Sequence, residues 1–99
     1  IVQVDNLGWI EAEGFILNDE YGSFIPSIYT FELTTSNRSD IKDIHRIISY
    51  VEEYRMQVNK GEKIRVSGYV EKVTALRNQF YQITLTYAPR YYEQVLKRI

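Results

Sequence analysis

Residues 61–88, GEKIRVSGYVEKVTALRNQFYQITLTYA, decide the fold, because they are typical of a long two-stranded hairpin. On the first strand Ile64, Val66 and Val70 alternate with charged, polar or aromatic neighbours, the period of two that a half-buried strand requires. The segment FYQITLTY repeats this alternation, and its β-branched and aromatic residues suit a pleated surface. We therefore expect two antiparallel strands that share one apolar face.

A first hairpin is predicted upstream of this one. Residues 9–17 alternate between apolar and mixed positions, and Gly14 in their middle indicates a bulge. The segment NDEYGS at 18–23 has the composition of a turn. Residues 24–34 then predict the return strand, with Pro26 limiting pairing near its start.

The segment between the hairpins predicts an amphipathic helix. Asp40 is placed as its N-cap, and Gly61 as the left-handed residue that ends it. The apolar residues between them recur at spacings of three and four, which traces one stripe over about five turns. These residues are Ile41, Ile44, Ile48, Val51 and Val58. A short last helix is predicted over residues 90–99, started by Pro89, with a strand as the alternative.

These elements predict an α+β fold. Two hairpins form a small curled antiparallel β-sheet, or an open barrel of oligonucleotide-binding type, packed on one central amphipathic helix, with a short C-terminal helix. A chain of 99 residues holds one core, so residues 1–99 are expected to form a single domain. Since the sequence opens with Ile1 and not Met, we expect a fragment or accessory domain of a longer protein.

Composition excludes several classes of function. The absence of cysteine removes disulfides, thiolate metal sites and cysteine nucleophiles, and it suits a cytoplasmic protein. No apolar run has the length needed to cross a bilayer, so we expect no membrane association.

The residue types that carry catalysis are present but not grouped. The one histidine, His45, lacks partners at metal-ligand spacing, and the pair Glu11 and Glu13 is typical of solvated acids on a strand face. The dipeptide Gly22–Ser23 is similar to the turn that opens a nucleotidyltransferase active site, but the paired acids that would hold two metal ions do not follow it. We therefore predict no catalytic residue, no metal and no cofactor in these 99 residues.

Charge is distributed unevenly along the chain. Residues 1–37 hold six acids and no Lys or Arg, whereas residues 60–99 hold eight bases and three acids. Such an asymmetry can steer a polyanion to the basic part of the molecule. The alternative is that the two parts face each other in one sheet and pair their charges.

One predicted surface combines bases with aromatic rings. Lys63, Arg65 and Tyr69 project from one face of the first strand of the 61–88 hairpin, and Phe80 and Gln82 from the corresponding face of the second. Bases bind phosphates and rings stack on nucleobases, which predicts a nucleic-acid-binding face. In the alternative interpretation, Tyr69 and Phe80 are a cross-strand aromatic pair with a purely structural role.

A family resemblance adds to this interpretation. The run SYVEEYRMQVNKGEKIRVSGYVEKV, followed by FYQITL and a tyrosine-rich tail, resembles the C-terminal region of archaeal predicted nucleotidyltransferases with a polymerase-beta-like catalytic domain. The resemblance covers most of the chain from about residue 9 onward and implies an accessory domain. It assigns no catalytic residue to this sequence, because the catalytic motif of that family is absent.

Two functions are therefore expected as alternatives. In the first, the domain is a non-catalytic module that binds single-stranded nucleic acid or a nucleotide substrate through the basic and aromatic face. In the second, it docks onto a catalytic domain or onto a second copy of itself.

Overall fold

The structure is a computed structural model that describes residues 2–87 and 90–99, and its regular elements are β-strands. The six strands are β1 (Gln3–Tyr21), β2 (Ser27–Ser36), β3 (Arg46–Ser49), β4 (Lys63–Thr74), β5 (Gln79–Leu85) and β6 (Val95–Arg98). The only helical elements among the described residues are two single 3₁₀ turns, Glu52–Tyr54 and Tyr91–Glu93.

Five of the strands close into a ring. Strand β1 pairs with β2, β2 with β3, β3 with β5, and β5 with β4, and β4 returns to pair with β1. All of these pairs are antiparallel except β3 with β5, which are parallel. The long β1 serves two neighbours, as expected for a barrel in which a bent strand closes the sheet on itself. Strand β6 extends the sheet beside the first half of β4.

Both predicted hairpins are confirmed. Strands β4 and β5 are joined by a tight turn in which the Ala75 N–H donates to the Asn78 carbonyl at 2.8 Å. In the first hairpin the register of β1 against β2 shifts between Glu13 and Gly14, at the predicted bulge. A Cβ at Gly14 would lie 2.0 Å from the Glu32 carbonyl oxygen, so only glycine allows the two strands to approach here.

The predicted α+β fold is wrong, because there is no central helix. Residues 41–45 have no regular structure and residues 46–49 form strand β3, which lies in the ring between β2 and β5. Asp40 caps no helix and instead accepts from the Arg38 guanidinium at 2.8 Å. Gly61 has the predicted positive φ of 88°, but it ends a loop that leads into β4.

The predicted C-terminal helix is also wrong. The segment contains the 3₁₀ turn Tyr91–Glu93 and then β6, so a strand is present, but it begins at Val95, where the alternative had placed a strand's end. Pro89, the predicted start of that helix, lies outside the described residues.

The core fills the ring. It holds the rings of Tyr29 and Phe31, and most of its other side chains are Ile and Val, in keeping with a sheet that curls around its own apolar face. The buried Tyr29 hydroxyl donates to the Tyr54 carbonyl at 3.0 Å, and burial raises the pKa of Tyr29. Within residues 2–87 and 90–99, no helix has the length and apolarity to cross a bilayer.

Candidate nucleic-acid interface

The five residues predicted to bind nucleic acid lie in three separate places on the barrel. Lys63 and Arg65 are at the start of β4, where both are exposed. The Arg65 guanidinium pairs with the Glu13 carboxylate across the β1–β4 ladder at 2.8 Å. The positive charge of Arg65 is therefore largely compensated by a neighbour.

Tyr69 belongs to a second group, which we call the Arg90 cluster: Trp9, Tyr69, Arg90 and Glu93. Tyr69 is the ladder partner of Trp9, and their rings meet edge to face with centroids 5.2 Å apart. The Arg90 guanidinium lies 4.0 Å from the centre of the Trp9 ring. It also donates two hydrogen bonds to Glu93, both of 2.9 Å, and this contact lowers the pKa of the Glu93 carboxyl.

Phe80 and Gln82 belong to a third group, which we call the Arg46 cluster: Arg46, Glu71, Phe80 and Gln82. The Arg46 guanidinium lies 5.0 Å from the centre of the Phe80 ring, and its Nε donates to Gln82 Oε1 at 2.8 Å. Tyr69 faces Thr84 across the β4–β5 ladder, whereas Phe80 faces Val73. The alternative prediction of a Tyr69–Phe80 cross-strand pair is therefore wrong.

The Arg46 cluster is a row across three adjacent strands. Arg46 is the ladder partner of Gln82 between β3 and β5, and Gln82 is the partner of Glu71 between β5 and β4. The Gln82 amide nitrogen donates to Glu71 Oε1 at 2.8 Å, and the Thr84 hydroxyl donates to the same oxygen. Side chains at successive register positions thus form one connected hydrogen-bond network on the outside of the barrel.

Arg46 differs from most other arginines in that no described residue is its acidic partner. Five ion pairs join the described side chains, and Arg46 takes part in none of them. Its Nη1 and Nη2 atoms donate to no residue of the described part of the chain. A half-buried guanidinium thus keeps one edge available, and that edge has the geometry for bidentate contact with a phosphate or carboxylate.

A groove adjoins Arg46 at the turn between β4 and β5. Its volume is about 390 Å³ and it is lined by His45, Ala75, Asn78, Gln79 and Phe80. The His45 ring meets the Phe80 ring at a centroid distance of 5.3 Å. The groove therefore combines two rings with two side-chain amides, and one of its rings is Phe80, over which the Arg46 guanidinium lies.

The acidic β1 and the basic β4 lie side by side in one sheet, as the alternative interpretation predicted, with Asp5 opposite Lys72 and Glu13 opposite Arg65. Among the ion pairs of residues 2–87 and 90–99, only Arg65 with Glu13 links residues 1–37 to residues 60–99. The remaining pairs lie within one part of the sequence, as Arg98 with Glu62 does. The two parts therefore face each other with one ion pair between them among the described residues, and steering of a polyanion stays a prediction.

The described residues show no arrangement typical of a catalytic site. Glu11 and Glu13 line a second groove of about 320 Å³ together with Asn37 and Arg65, but Glu13 is engaged by Arg65. No group of three or more His, Asp or Glu residues in the described ranges is placed to hold a metal ion.

Comparison with known proteins gives one relative of moderate similarity. The chain is 35% identical over 68 residues to the uncharacterized protein MJ1086 of Methanocaldococcus jannaschii. The match covers 69% of this chain and 18% of that protein, so the chain spans less than a fifth of its relative's length. No family model and no solved structure matches the chain.

Sequence reasoning missed five members of the two clusters: Trp9, Arg46, Glu71, Arg90 and Glu93. The predicted helix between Asp40 and Gly61 covered both His45 and Arg46, which hid their proximity to Phe80. The string RIIS carries no alternation of polarity that would place Arg46 on an outer face, and the β-branched pair Ile47 and Ile48 is its one local sign of a strand.

Proposed function

We propose that this domain is a non-catalytic module that binds single-stranded nucleic acid on the outer face of β3 and β5. The observation that carries the proposal is Arg46, whose guanidinium has no acidic partner among the described residues and stacks on Phe80, a residue that lines a groove. Arg46 would contact a backbone phosphate, while the Phe80 and His45 rings would accept a base. Bases and rings in this combination hold single strands in a sequence-tolerant way.

The barrel supports the proposal at the level of the fold. Small five-stranded Greek-key barrels of the oligonucleotide-binding type take their ligands on the face of strands two and three and on the loop between strands four and five. Two features match this position, because Arg46 is on β3 and the groove includes the β4–β5 turn, whereas Glu71, Phe80 and Gln82 lie on β4 and β5. Because a fold alone does not determine function, the proposal depends mainly on the side chains of the site.

The accessory role is the second part of the proposal. In a longer protein, this domain would present the bound single-stranded nucleic acid to a catalytic domain that is not part of these 99 residues. That the catalytic domain is a nucleotidyltransferase stays a prediction, which rests on the resemblance of the segments around 50–85. A cytoplasmic location is likewise a prediction from the lack of cysteine.

Fluorescence anisotropy with labelled single-stranded RNA and DNA of mixed sequence tests the binding function. We expect wild-type binding at low salt that weakens as salt is added. An Arg46→Gln variant should bind about tenfold more weakly or worse, because a hydrogen bond to a charged group contributes about 1.5–3 kcal/mol. Its plot of log affinity against log salt should be shallower by about 0.7, the value for one phosphate contact with a single strand.

The matched control is Arg90→Gln, which removes an equal charge from the Arg90 cluster. Because Arg90 is already paired with Glu93, this variant should retain affinity within about twofold. No binding of either nucleic acid at low salt would refute the function. Equal losses in the two variants would show that only net charge matters.

A second candidate function is protein docking, and a different surface favours it. Tyr21, Phe24, Ile25 and Met56 are each about half exposed or more, and the Tyr21 and Phe24 rings lie 5.9 Å apart. The Met56 N–H donates to the Gly22 carbonyl at 2.9 Å, which brings Met56 to the same loop. Exposed apolar patches mark interaction sites. Sedimentation of the isolated domain tests self-association, which a Phe24→Ser and Met56→Ser double variant should abolish.

A further inference from the structure

We infer that Glu71 and Gln82 are positioning residues that hold the open edge of the Arg46 guanidinium outward to take a phosphate group. The inference deepens the proposed function and rests on it for the identity of the larger ligand. It names the chemical group that is bound and the two residues that prepare the site for it. Neither residue needs to touch the ligand.

Hydrogen-bond polarity fixes the orientation of Gln82. The Arg46 Nε–H can only donate, so it requires the amide oxygen of Gln82, and the Glu71 carboxylate accepts from the amide nitrogen on the other side. Reversing the amide would set donor against donor and acceptor against acceptor. Glu71 therefore determines which end of Gln82 faces Arg46.

The same network keeps Glu71 from neutralising Arg46. Gln82 is 5% exposed and stands between the two charged groups in the row, and the Thr84 hydroxyl occupies the carboxylate from a further direction. Glu71 thereby acts on Arg46 through an amide and not through an ion pair. The Nε contact and the Phe80 ring together restrain the guanidinium plane, and the distal Nη1–Nη2 edge donates to no residue of the described part of the chain.

A restrained guanidinium with two open N–H groups matches a phosphate better than a carbonyl or an amide. Two parallel N–H···O bonds to one phosphate form without a further loss of rotamer freedom, because the side chain is already held. Both a phosphodiester within a strand and a free phosphate monoester carry this chemistry. The site is thus specific for the phosphate group, and separate measurements distinguish the two sources.

Three substitutions at two positions test the positioning role. Glu71→Met removes the acceptor and one negative charge, whereas Glu71→Gln removes the charge but retains an acceptor oxygen. Simple electrostatics predicts that both variants bind a strand more tightly. Positioning predicts that Glu71→Met binds about threefold to tenfold more weakly, that Gln82→Met does the same, and that Glu71→Gln binds as well as the wild type or better.

A double-mutant cycle separates positioning from general loss of structure. In an Arg46→Gln background, Glu71→Met should change affinity by less than about twofold, because its effect passes through Arg46. Thermal unfolding of each variant verifies that it is folded at the assay temperature. If Glu71→Met binds as tightly as the wild type, or if its loss persists without Arg46, the inference is wrong while the function stands.

NMR titration with inorganic phosphate tests the phosphate site without nucleic acid. The Arg46 Nε–H signal should shift in a saturable way in the wild type and not in Glu71→Met. A saturable shift without any strand binding would support the phosphate site and refute the nucleic-acid function. In another outcome, a nucleic-acid strand binds but inorganic phosphate and a nucleoside monophosphate leave the Arg46 Nε–H signal unchanged. The bound group is then a phosphodiester. If no phosphate compound moves the signal, the inference is overturned.

Discussion

Arg46 and Arg90 both stack on an aromatic ring on the outside of the barrel, yet their charges are handled differently. Arg90 lies over Trp9 and donates twice to Glu93, three residues along the same 3₁₀ turn. Arg46 lies over Phe80 and donates only its Nε, to a neutral amide. The comparison shows that an arginine over a ring does not by itself indicate a ligand site. In the Arg46 cluster, by contrast, the nearest acid in the row is Glu71, and it already accepts hydrogen bonds from Gln82 and Thr84.

The largest expected effect comes from giving Arg46 the partner it lacks. Thr30 is the ladder neighbour of Arg46 on β2, so a Thr30→Glu variant places a carboxylate directly beside the guanidinium. We expect strand affinity to fall at least about tenfold in the anisotropy assay, since the phosphate would compete with a tethered anion. Thr34→Glu adds the same charge farther along β2 and should cost less than about threefold. Equal effects of the two substitutions would contradict the comparison.

The two stacked rings should separate binding from stability. Phe80→Leu removes a stacking surface for a base and should weaken strand binding about fivefold or more, because stacking contributes about 1–3 kcal/mol per base. Trp9→Leu should leave binding within about twofold. It should instead lower the free energy of unfolding by about 1 kcal/mol, since the edge-to-face contact with Tyr69 and the cation–π contact with Arg90 are lost. Denaturant unfolding measures the free energy of unfolding of both variants, and anisotropy measures their affinity for the strand.

Removing the partner of Arg90 should make the two clusters more alike. Glu93→Gln leaves Arg90 over Trp9 without its carboxylate. We expect strand affinity to rise about twofold to threefold at low salt and the gain to disappear at high salt, where exposed charges are screened. A fall in affinity would show that Glu93 supports the bound strand.

The smallest effect concerns pH and is confined to the surroundings of Arg90. The hydroxyl of the adjacent Tyr91 donates to Glu53, which raises the pKa of Tyr91 to about 12. Since the folded-state pKa lies above the ordinary tyrosine value of 10.0, this contact stabilises the fold fully below pH 10 and is lost as the pH rises through about 12. The stability difference between wild type and Tyr91→Phe should therefore shrink over that range. Glu53→Gln should return the tyrosinate absorbance titration of Tyr91 to the ordinary range.

The sequence predicted the strands more reliably than the segment between them. Alternation was clear on β4 and β5, where inward and outward positions differ strongly in polarity. Between β2 and β4 the apolar residues recur at three and four, yet Ile47 points into the core and Ile48 lies on the opposite face of one strand. The buried Ile41 and Ile44 come from an irregular stretch that crosses the core. All five residues of the predicted apolar stripe are β-branched, which favours a strand, and tertiary packing overrode their helical spacing.

The candidate site was predicted in part. Phe80 and Gln82 were named because they share the outer face of β5, which local alternation reveals. Their partner Arg46 is 36 residues away from Gln82, and it meets Gln82 only through the parallel pairing of β3 with β5. No local pattern encodes that register, because it depends on how the whole ring closes. For the same reason Tyr69, although on the outer face, was wrongly grouped with Phe80.

The central claim is that Arg46, and not Arg90, is the cation available to an anionic strand. NMR titration of the ¹⁵N-labelled domain with a single-stranded oligonucleotide at low salt tests it most directly, because the Nε–H signals of the two arginines report separately. We predict that the Arg46 Nε–H and the Gln82 side-chain amide signals shift together and saturate, while the Arg90 Nε–H signal stays in place. A saturable shift at Arg90 with Arg46 and Gln82 unchanged would contradict the claim.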